Sequence, residues 1–211
     1  MKIRYLEEID STQLYLKKLV REKKITPPYG VIANIQSSGV GSRDNKWIGI
    51  EGNLFLSFAI ALDELPKDLK LESASIYFAY LLKETLCDLG SQVWLKWPND
   101  FYVEDKKIGG MITTIEDNIL ISGVGINLVD HPDSFSKLDI NISRDEILKN
   151  YIENIDKKLR WKQVFSKYKL EFYKSKDFSA HIKNTKISLN NVSLQSDGSI
   201  MYKNERIYSL R

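Results

Sequence analysis

The sequence has one cysteine, Cys87, and almost no net charge. One thiol cannot form an intrachain disulfide, and it cannot build a four-thiolate zinc site or an iron–sulfur cluster, so we expect the reducing environment of the cytoplasm. The 31 Lys and Arg residues nearly balance the 28 Asp and Glu residues, and the excess of +3 is scattered along the chain. Such a weak, dispersed charge does not favour nucleic acid or a membrane surface as the main partner.

Long apolar runs are also lacking. No stretch approaches the ~18 uninterrupted apolar residues of a membrane helix. Residues 1–8 are charged and contain no apolar run followed by small residues, so no secretory signal is expected. What is present is the balance of an ordinary soluble globular protein, with 43% hydrophobic and 28% charged residues. The length allows one domain of about 150 residues and a small appendage.

Hydrophobic periodicity indicates helices and strands in the first part of the chain. The spacing predicts helices over residues 12–23 and 71–89 and strands over residues 31–35, 54–62, 93–97, 107–115 and 119–124. Asp10 or Ser11 can cap the first helix. Residues 37–52 are polar, contain glycine and have no period of their own, which is typical of a functional loop.

The character of the sequence changes after Asn127. Residues 143–146, Ser-Arg-Asp-Glu, have the spacing of a capping box, and helix is expected from there to about Lys174, with a break near Lys158. Residues 178–210 alternate and carry the turn signals of a small β unit. The order of elements predicts an α+β fold in which helices flank a mixed, largely antiparallel sheet.

Residues 10–13, Asp-Ser-Thr-Gln, are suited to a small polar ligand. The adjacent hydroxyls of Ser11 and Thr12 can each donate to a carbonyl and accept from an N–H group, as a cyclic urea or amide requires. The alternative is a plain helix cap, because Asp, Ser and Thr are all favoured at that position.

A glycine-containing segment follows the first predicted strand. The backbone of Gly39-Val40-Gly41 can approach an anion closely, and Arg43 and Lys46 add positive charge. The segment lacks the third glycine of the dinucleotide fingerprint and the trailing Gly-Lys-Ser/Thr of the Walker loop. Any phosphate cradle here is of another type, and a flexible loop is the alternative.

The stretch Lys96-Trp97-Pro98-Asn99-Asp100 is the most informative in the chain. Proline cannot donate to a sheet, so a strand ends here and the next two side chains lie at its mouth. The Asn99 amide can pair with an adenine edge, and the Asp100 carboxylate can hold Mg²⁺ or orient an amine. A turn with an Asn-Asp corner is the alternative.

Closely spaced glycines mark two further places. Gly109 and Gly110 indicate either a bulge or a ligand lying against the backbone, where Lys107 can neutralise a carboxylate or phosphate instead of lying in solvent. Residues 123–127, Gly-Val-Gly-Ile-Asn, repeat the arrangement of small residues beside an amide, with a turn as the alternative.

These five segments resemble, in order, those of the biotin protein ligase family, the biotin–[acetyl-CoA-carboxylase] ligases. The family pattern runs D-S-T-N, Q-x-x-G-R-G-R-x-x-R-x-W, K-W-P-N-D, K-[LI]-[AG]-G-[IM]-L and G-x-G-x-N, and its counterparts here lie within residues 10–127. The K-W-P-N-D and K-I-G-G-M pair is specific, whereas the others are weak singly. The resemblance implies a class II aminoacyl-tRNA synthetase/biotin ligase-like fold, with a catalytic biotin- and ATP-binding domain at residues 1–174 and a short SH3-like β domain at residues 175–211.

The resemblance also implies the reaction. Family members use ATP and Mg²⁺ to convert biotin to biotinyl-5′-AMP, and a lysine of a biotin carboxyl carrier protein, an acetyl-CoA carboxylase subunit, then takes the biotin. The implied catalytic residues are Lys107, Asp100 and Arg43, with Asp100 also the candidate Mg²⁺ ligand. The implied biotin-binding residues are Ser11, Thr12, Gln36, Gly39, Val40, Gly41, Trp47, Lys107, Gly109 and Gly110. The implied ATP- and adenylate-binding residues are Ser42, Arg43, Lys46, Trp47, Asn99, Gly125 and Asn127.

Alternative functions remain open at this point. A lipoate or octanoate ligase of the same fold superfamily would activate another carboxylic acid, but a lipoyl head offers no urea to pair with Ser11 and Thr12. A non-catalytic biotin- or adenylate-sensing module is the second alternative. Because the D-S-T segment starts at residue 10, we expect no winged helix-turn-helix and no sequence-specific DNA binding. The resemblance leaves a homodimer open.

The glycine-containing segment departs from the family pattern. Val40, Ser42 and Asn45 occupy three of its arginine positions, and Arg43 sits one place after the second. We expect Arg43, helped by Lys46, to supply the missing charge, the alternative being an enzyme that holds its adenylate loosely.

Substitution of Arg43 separates these two possibilities. If Arg43 supplies the charge, Arg43→Ala accelerates adenylate dissociation, because a cation next to the phosphate is lost. The dissociation rate is measured by chasing bound adenylate with unlabelled ligand. A rate equal to that of the wild type would contradict the expectation.

Overall fold

The computed structural model describes residues 1–41, 46–182 and 185–208. Within these ranges the main sheet has eight strands, ordered β1-β2-β4-β8-β7-β6-β5, with β3 paired to β2. They are β1 (Lys2–Ile9), β2 (Tyr29–Val40), β3 (Lys46–Gly49), β4 (Leu54–Ala61), β5 (Trp94–Lys96), β6 (Asp100–Val103), β7 (Lys106–Glu116) and β8 (Ile119–Ile126). The β1–β2 pair is parallel and the other pairs of this sheet are antiparallel. The predicted mixed, largely antiparallel sheet is confirmed.

Four helices in the described part of the chain cover the two faces of this sheet. They are α1 (Thr12–Arg21), α2 (Ala74–Asp88), α3 (Arg144–Asp156) and α4 (Trp161–Glu171). One face packs against α1, and the other carries the larger core with α2, α3 and α4. The central strand β4 is therefore buried on both sides, which explains its nearly continuous apolar sequence. Among the described residues, no helix has the length and apolar character needed to cross a membrane.

The capping residues in the sequence predict the starts of α1 and α3 correctly. Ser11 caps α1, because its Oγ accepts from the Leu14 N–H at 3.4 Å, and Ser143 caps α3 by accepting from the Glu146 N–H at 3.2 Å. Lys158, with φ +46°, lies between α3 and α4, where the helix break was expected.

The sequence patterns missed three strands of the main sheet, namely β1, β3 and β6, of which β6 starts at Asp100 directly after the turn at Pro98. Residues 37–52 were expected to form a structureless loop, but β2 continues to Val40 and β3 pairs back on it. The N-terminal strand β1 was not predicted, because it is an edge strand with mostly exposed, charged side chains and so lacks the alternation that marks a half-buried strand.

The C-terminal residues form small β sheets, as expected. Their strands are β9 (Ser179–Ile182), β10 (Thr185–Ser188), β11 (Ser193–Leu194), β12 (Ile200–Tyr202) and β13 (Glu205–Ile207). Buried residues of this unit, such as Ile187 and Ile200, belong to the same hydrophobic cluster as the main sheet. The indole Nε1 of Trp97 also donates to the Gly198 carbonyl at 2.8 Å. The unit is thus packed into the main core, and the division at residues 174 and 175 stays a prediction.

Asp197 organises this C-terminal unit. Its Oδ1 accepts from the Ser199 N–H and hydroxyl at 3.1 and 2.5 Å, and its Oδ2 lies 3.2 Å from Arg206 Nη1 and 3.7 Å from Lys70 Nζ. Burial alone would raise the pKa of the Asp197 carboxyl, but the Ser199 hydrogen bonds and the two cations outweigh it and lower the pKa. The ionised form therefore stabilises the fold at neutral pH.

We predict that Asp197→Asn lowers the free energy of unfolding at pH 7 by about 2–4 kcal/mol, because charge-assisted hydrogen bonds are lost. Since the folded pKa is depressed, this stabilisation is lost as the pH falls below the ordinary carboxyl value of 3.8. Urea unfolding at several pH values checks both points, with the exposed Asp133→Asn as the control. A deficit that does not shrink in acid would contradict the prediction.

Candidate active site

A cleft opens on the α1 side of the sheet. It lies between the N-terminus of α1, the β2–β3 hairpin and strands β4, β7 and β8. The predicted site residues that line it are Ser11, Thr12, Gln36, Val40, Gly41, Trp47, Asn99, Asp100, Lys107, Gly110 and Gly125. The structure therefore brings parts of all five sequence segments to one place.

One end of the cleft is a buried hydrogen-bond network. The Thr12 N–H and hydroxyl both donate to Gln36 Oε1, at 2.8 and 3.0 Å, and Thr12 Oγ1 lies 2.9 Å from Ser57 Oγ. Because the backbone N–H can only donate, it fixes Gln36 Oε1 toward Thr12 and turns the amide NH₂ away, beside Gly39. Ser11 accepts the helix-capping bond and keeps its own hydroxyl proton for another partner. This end offers both donors and acceptors.

The other end of the cleft is charged. Lys107 Nζ lies 2.6 Å from Asp100 Oδ1, and Lys96 Nζ lies 3.5 Å from Asp100 Oδ2. The Lys107 ammonium is partly exposed, whereas Lys96 is mostly buried. The ammonium of Lys107, at the mouth of the cleft, can attract an anionic group to this end.

Glycines form the floor between the two ends. Gly110 and Gly125 are cross-strand partners on β7 and β8, and Gly123 lies two residues before Gly125 on the same face. An added Cβ would lie 2.7 Å from the Trp47 ring at Gly125 and 3.3 Å from Asp100 Oδ1 at Gly110. Any larger residue at position 125 would therefore push Trp47 away, and the bare backbone leaves room for a ligand.

Two buried polar atoms in the described part of the cleft have no hydrogen-bond partner. They are Trp47 Nε1, which donates, and Gln13 Oε1, which accepts. The Trp47 ring is held against Phe135, with ring centroids 6.2 Å apart. An unpartnered buried group costs about 1–3 kcal/mol, so each is a place where a ligand gains by pairing.

Some predicted residues lie beside the cleft instead of on its wall. Gly109 lets β7 approach β8, because a Cβ there would be 2.4 Å from the Gly125 carbonyl oxygen. Asn127 Nδ2 donates to the Ser136 carbonyl at 3.0 Å and so holds the following loop. Gly39 packs against the Trp47 backbone. Ser42 and Arg43 lie outside the described residues, as does the side chain of Lys46.

Six lining residues were not among the predicted site residues, although Gln13, Gly123 and Val124 belong to segments that the sequence singled out; the six are Gln13, Ser57, Met111, Ile112, Gly123 and Val124. Ser57 had a visible signal, because it is the single polar residue in the apolar strand β4. Gln13 occupies the position where the family pattern D-S-T-N has asparagine.

Residues 5–128 match the biotin/lipoate A/B protein ligase family. This is more than half of the chain, and the chain belongs to that family.

Particular relatives are more informative. The crystal structure of biotin acetyl coenzyme A carboxylase synthetase from Helicobacter pylori with bound biotinylated ATP matches with a TM-score of 0.94 and 38% identity, over 98% of this chain and 99% of that one. Biotin protein ligase from Aquifex aeolicus, in complex with biotin and ATP, shares the fold with a TM-score of 0.80 and 23% identity, over 100% and 96%. The bifunctional ligase/repressor BirA of Escherichia coli K12 is 33% identical over 130 residues, which are 58% of this chain. The chain spans 39% of the length of that relative.

The cross-strand glycine pair gives a matched test of the cleft floor. We predict that Gly125→Ala lowers the free energy of unfolding by about 1–3 kcal/mol, because its methyl group overlaps the partly buried Trp47 ring. Gly110→Ala, whose nearest neighbours are the movable ends of Asp100 and Lys107, should cost less than about 1 kcal/mol. Urea unfolding measures both, and equal losses would argue against close packing of Trp47 on the floor.

Proposed function

We propose that the protein is an ATP-dependent biotin–[biotin carboxyl-carrier protein] ligase, which makes biotinyl-5′-AMP and transfers biotin to a lysine of a carrier protein. The observation that carries this proposal is a single cleft with a buried hydroxyl and amide network at one end and the Lys107–Asp100 pair at the other. Biotin has the matching polarity, with a cyclic urea at one end and a carboxylate at the other. The likeness to the Helicobacter pylori enzyme, solved with biotinylated ATP, supports the same reaction.

The buried end suits the ureido ring. A urea needs donors for its oxygen and acceptors for its two N–H groups. The Ser11 hydroxyl and the Gln36 NH₂ supply donors, and the Thr12–Ser57 hydroxyl pair supplies acceptors. We assign ureido recognition to Ser11, Thr12 and Gln36, with Val40, Gly41 and Trp47 enclosing the ring.

The charged end suits the first chemical step. A biotin carboxylate oxygen attacks the α-phosphorus of ATP, and the bond from that phosphorus to the bridging oxygen breaks, releasing pyrophosphate. Negative charge grows on the oxygens around that phosphorus, and Lys107, already held in place by Asp100, stabilises it. We assign the nucleotide to the floor at Gly110 and Gly125, beside Trp47.

Asn99 and Asn127 contribute to this site by holding the backbone segments around it. Asn99 Nδ2 donates to the Met111 carbonyl, and Asn127 donates to Ser136. We therefore assign both residues to positioning the nucleotide side of the cleft.

The described residues do not fit a resident metal ion. Asp100 is engaged by two lysines, and no group of three or more His, Cys, Asp or Glu side chains is arranged for a metal in the described ranges. Mg²⁺ is held in many enzymes mainly by substrate phosphates, so we propose that it enters with ATP. Asp100 then serves to orient Lys107.

The second step needs an acceptor amine. A neutral lysine of the carrier protein attacks the biotinyl carbonyl carbon, the carbon–oxygen bond to phosphate breaks, and AMP leaves. We propose the biotin carboxyl carrier protein of acetyl-CoA carboxylase as the acceptor, because one relative is named biotin–[acetyl-CoA-carboxylase] ligase. The β2–β3 hairpin, which carries Trp47 over the floor, would exclude water that hydrolyses the mixed anhydride.

Two observations favour this reading over the alternatives. A lipoyl or octanoyl group cannot form hydrogen bonds with the buried polar end, because it lacks urea-like donors and acceptors. A sensing module would not need the Lys107–Asp100 ion pair at the carboxylate end of the ligand.

Pyrophosphate release tests the proposal. With Mg-ATP, we expect wild-type protein to release pyrophosphate on addition of biotin and not of lipoate, and to label an apo carrier protein. Lys107→Gln should lower kcat by about 10²–10³-fold, because a prepositioned cation is lost. The exposed neighbour Lys106→Gln is the matched control and should retain activity. Release with lipoate, or with neither acid, would reject the assignment.

A further inference from the structure

The Gln13 side chain has one end anchored and the other end without a partner. Its Nε2 donates at 3.3 Å to the Ile121 carbonyl and at 3.3 Å to Thr114 Oγ1. Because a backbone carbonyl only accepts, the NH₂ group faces Ile121 and Oε1 faces the opposite way. Gln13 is only 6% exposed, and within the described part of the chain Oε1 has no hydrogen-bond partner.

This oxygen lies over the floor of the cleft. A Cβ added to Gly123 would stand 2.5 Å from Gln13 Oε1 and 3.1 Å from Ser57 Oγ. The Thr12 hydroxyl donates its proton to Gln36, so in the Thr12–Ser57 contact the Ser57 hydroxyl is the donor. The lone pairs of Ser57 Oγ therefore stay available as acceptors. Two acceptors therefore lie side by side, and for Gln13 Oε1 the described residues supply no donor.

We propose that Gln13 is a specificity-determining residue whose Oε1 accepts a hydrogen bond from a ring N–H of the bound acid. The inference rests on the proposed function, since biotin is the acid whose cyclic urea carries N–H groups. Lipoate and octanoate carry none, so their binding leaves Oε1 buried and unpaired. A site built around a hydrogen bond rejects an analogue that lacks the bonding group more strongly than an apolar wall rejects a change of shape.

A purely structural role for Gln13 makes a different prediction. If the residue only tied α1 to β7 and β8 through Nε2, its loss would weaken all ligands alike. If Oε1 reads a ring N–H, the loss falls on ligands that possess that N–H.

Calorimetric titration with biotin and with its two oxa-analogues, each with one ring N–H replaced by oxygen, separates the two roles. We expect wild-type protein to bind biotin about 10- to 100-fold more tightly than one of these analogues. Gln13→Met, which keeps the side-chain length, should remove most of that ratio by weakening biotin and not the analogue. Gln13→Leu provides a second test if the first variant does not fold.

Thr114→Val is the matched control, because it removes a partner of Nε2 and leaves Oε1 in place. It should preserve the ratio of biotin to analogue affinity. If both analogues keep their wild-type ratios in the Gln13 variants while the wild type releases pyrophosphate with biotin, the inference is wrong and the ligase assignment stands. If the wild type neither binds biotin nor releases pyrophosphate, both are wrong.

Discussion

The absence of side chains on the cleft face of β7 and β8 is the constraint on which the site depends. Gly110, Gly123 and Gly125 bring a ligand down to the backbone, between Trp47 and the Lys107–Asp100 pair. The Trp47 ring lies against Gly125 and the Gln13 side chain lies against Gly123, so a side chain at either position would displace a wall of the cleft. Gly109 acts one layer below, where it lets the two strands approach each other.

The N-terminus of α1 combines structural and functional roles. Ser11 caps the helix, yet the capping bond uses only its lone pair and leaves its proton free. Thr12 joins the helix to β2 and β4 through Gln36 and Ser57. A single helix start thus fixes one end of the cleft, and the plain helix cap and the ligand site, which were alternatives in the sequence, are both supported by the same residues.

The parts of the site that the sequence predicts are those whose chemistry is local. Trp97-Pro98-Asn99-Asp100 and the glycines after Lys107 have short, recognisable patterns, and the structure places them around one cleft. Strand β1 and the β2–β3 hairpin were not predicted, because their charged or glycine-rich sequences lack the alternation of apolar and polar residues that indicates a strand. The roles of Gln13 Oε1 and of the Ser57 hydroxyl could be interpreted only in three dimensions, since they depend on hydrogen bonds between residues far apart in the sequence.

The indole of Trp97 links the active-site corner to Gly198, which lies 101 positions later in the chain. The backbone N–H of the same tryptophan donates to Ser175 Oγ at 3.1 Å. During synthesis on a ribosome, residues 99 and 100 leave the exit tunnel long before these two partners do. The nascent chain therefore completes the hydrogen bonds of the Trp97 corner late, and under the proposed function the cleft would be fully built only after the C-terminal strands have been translated and docked.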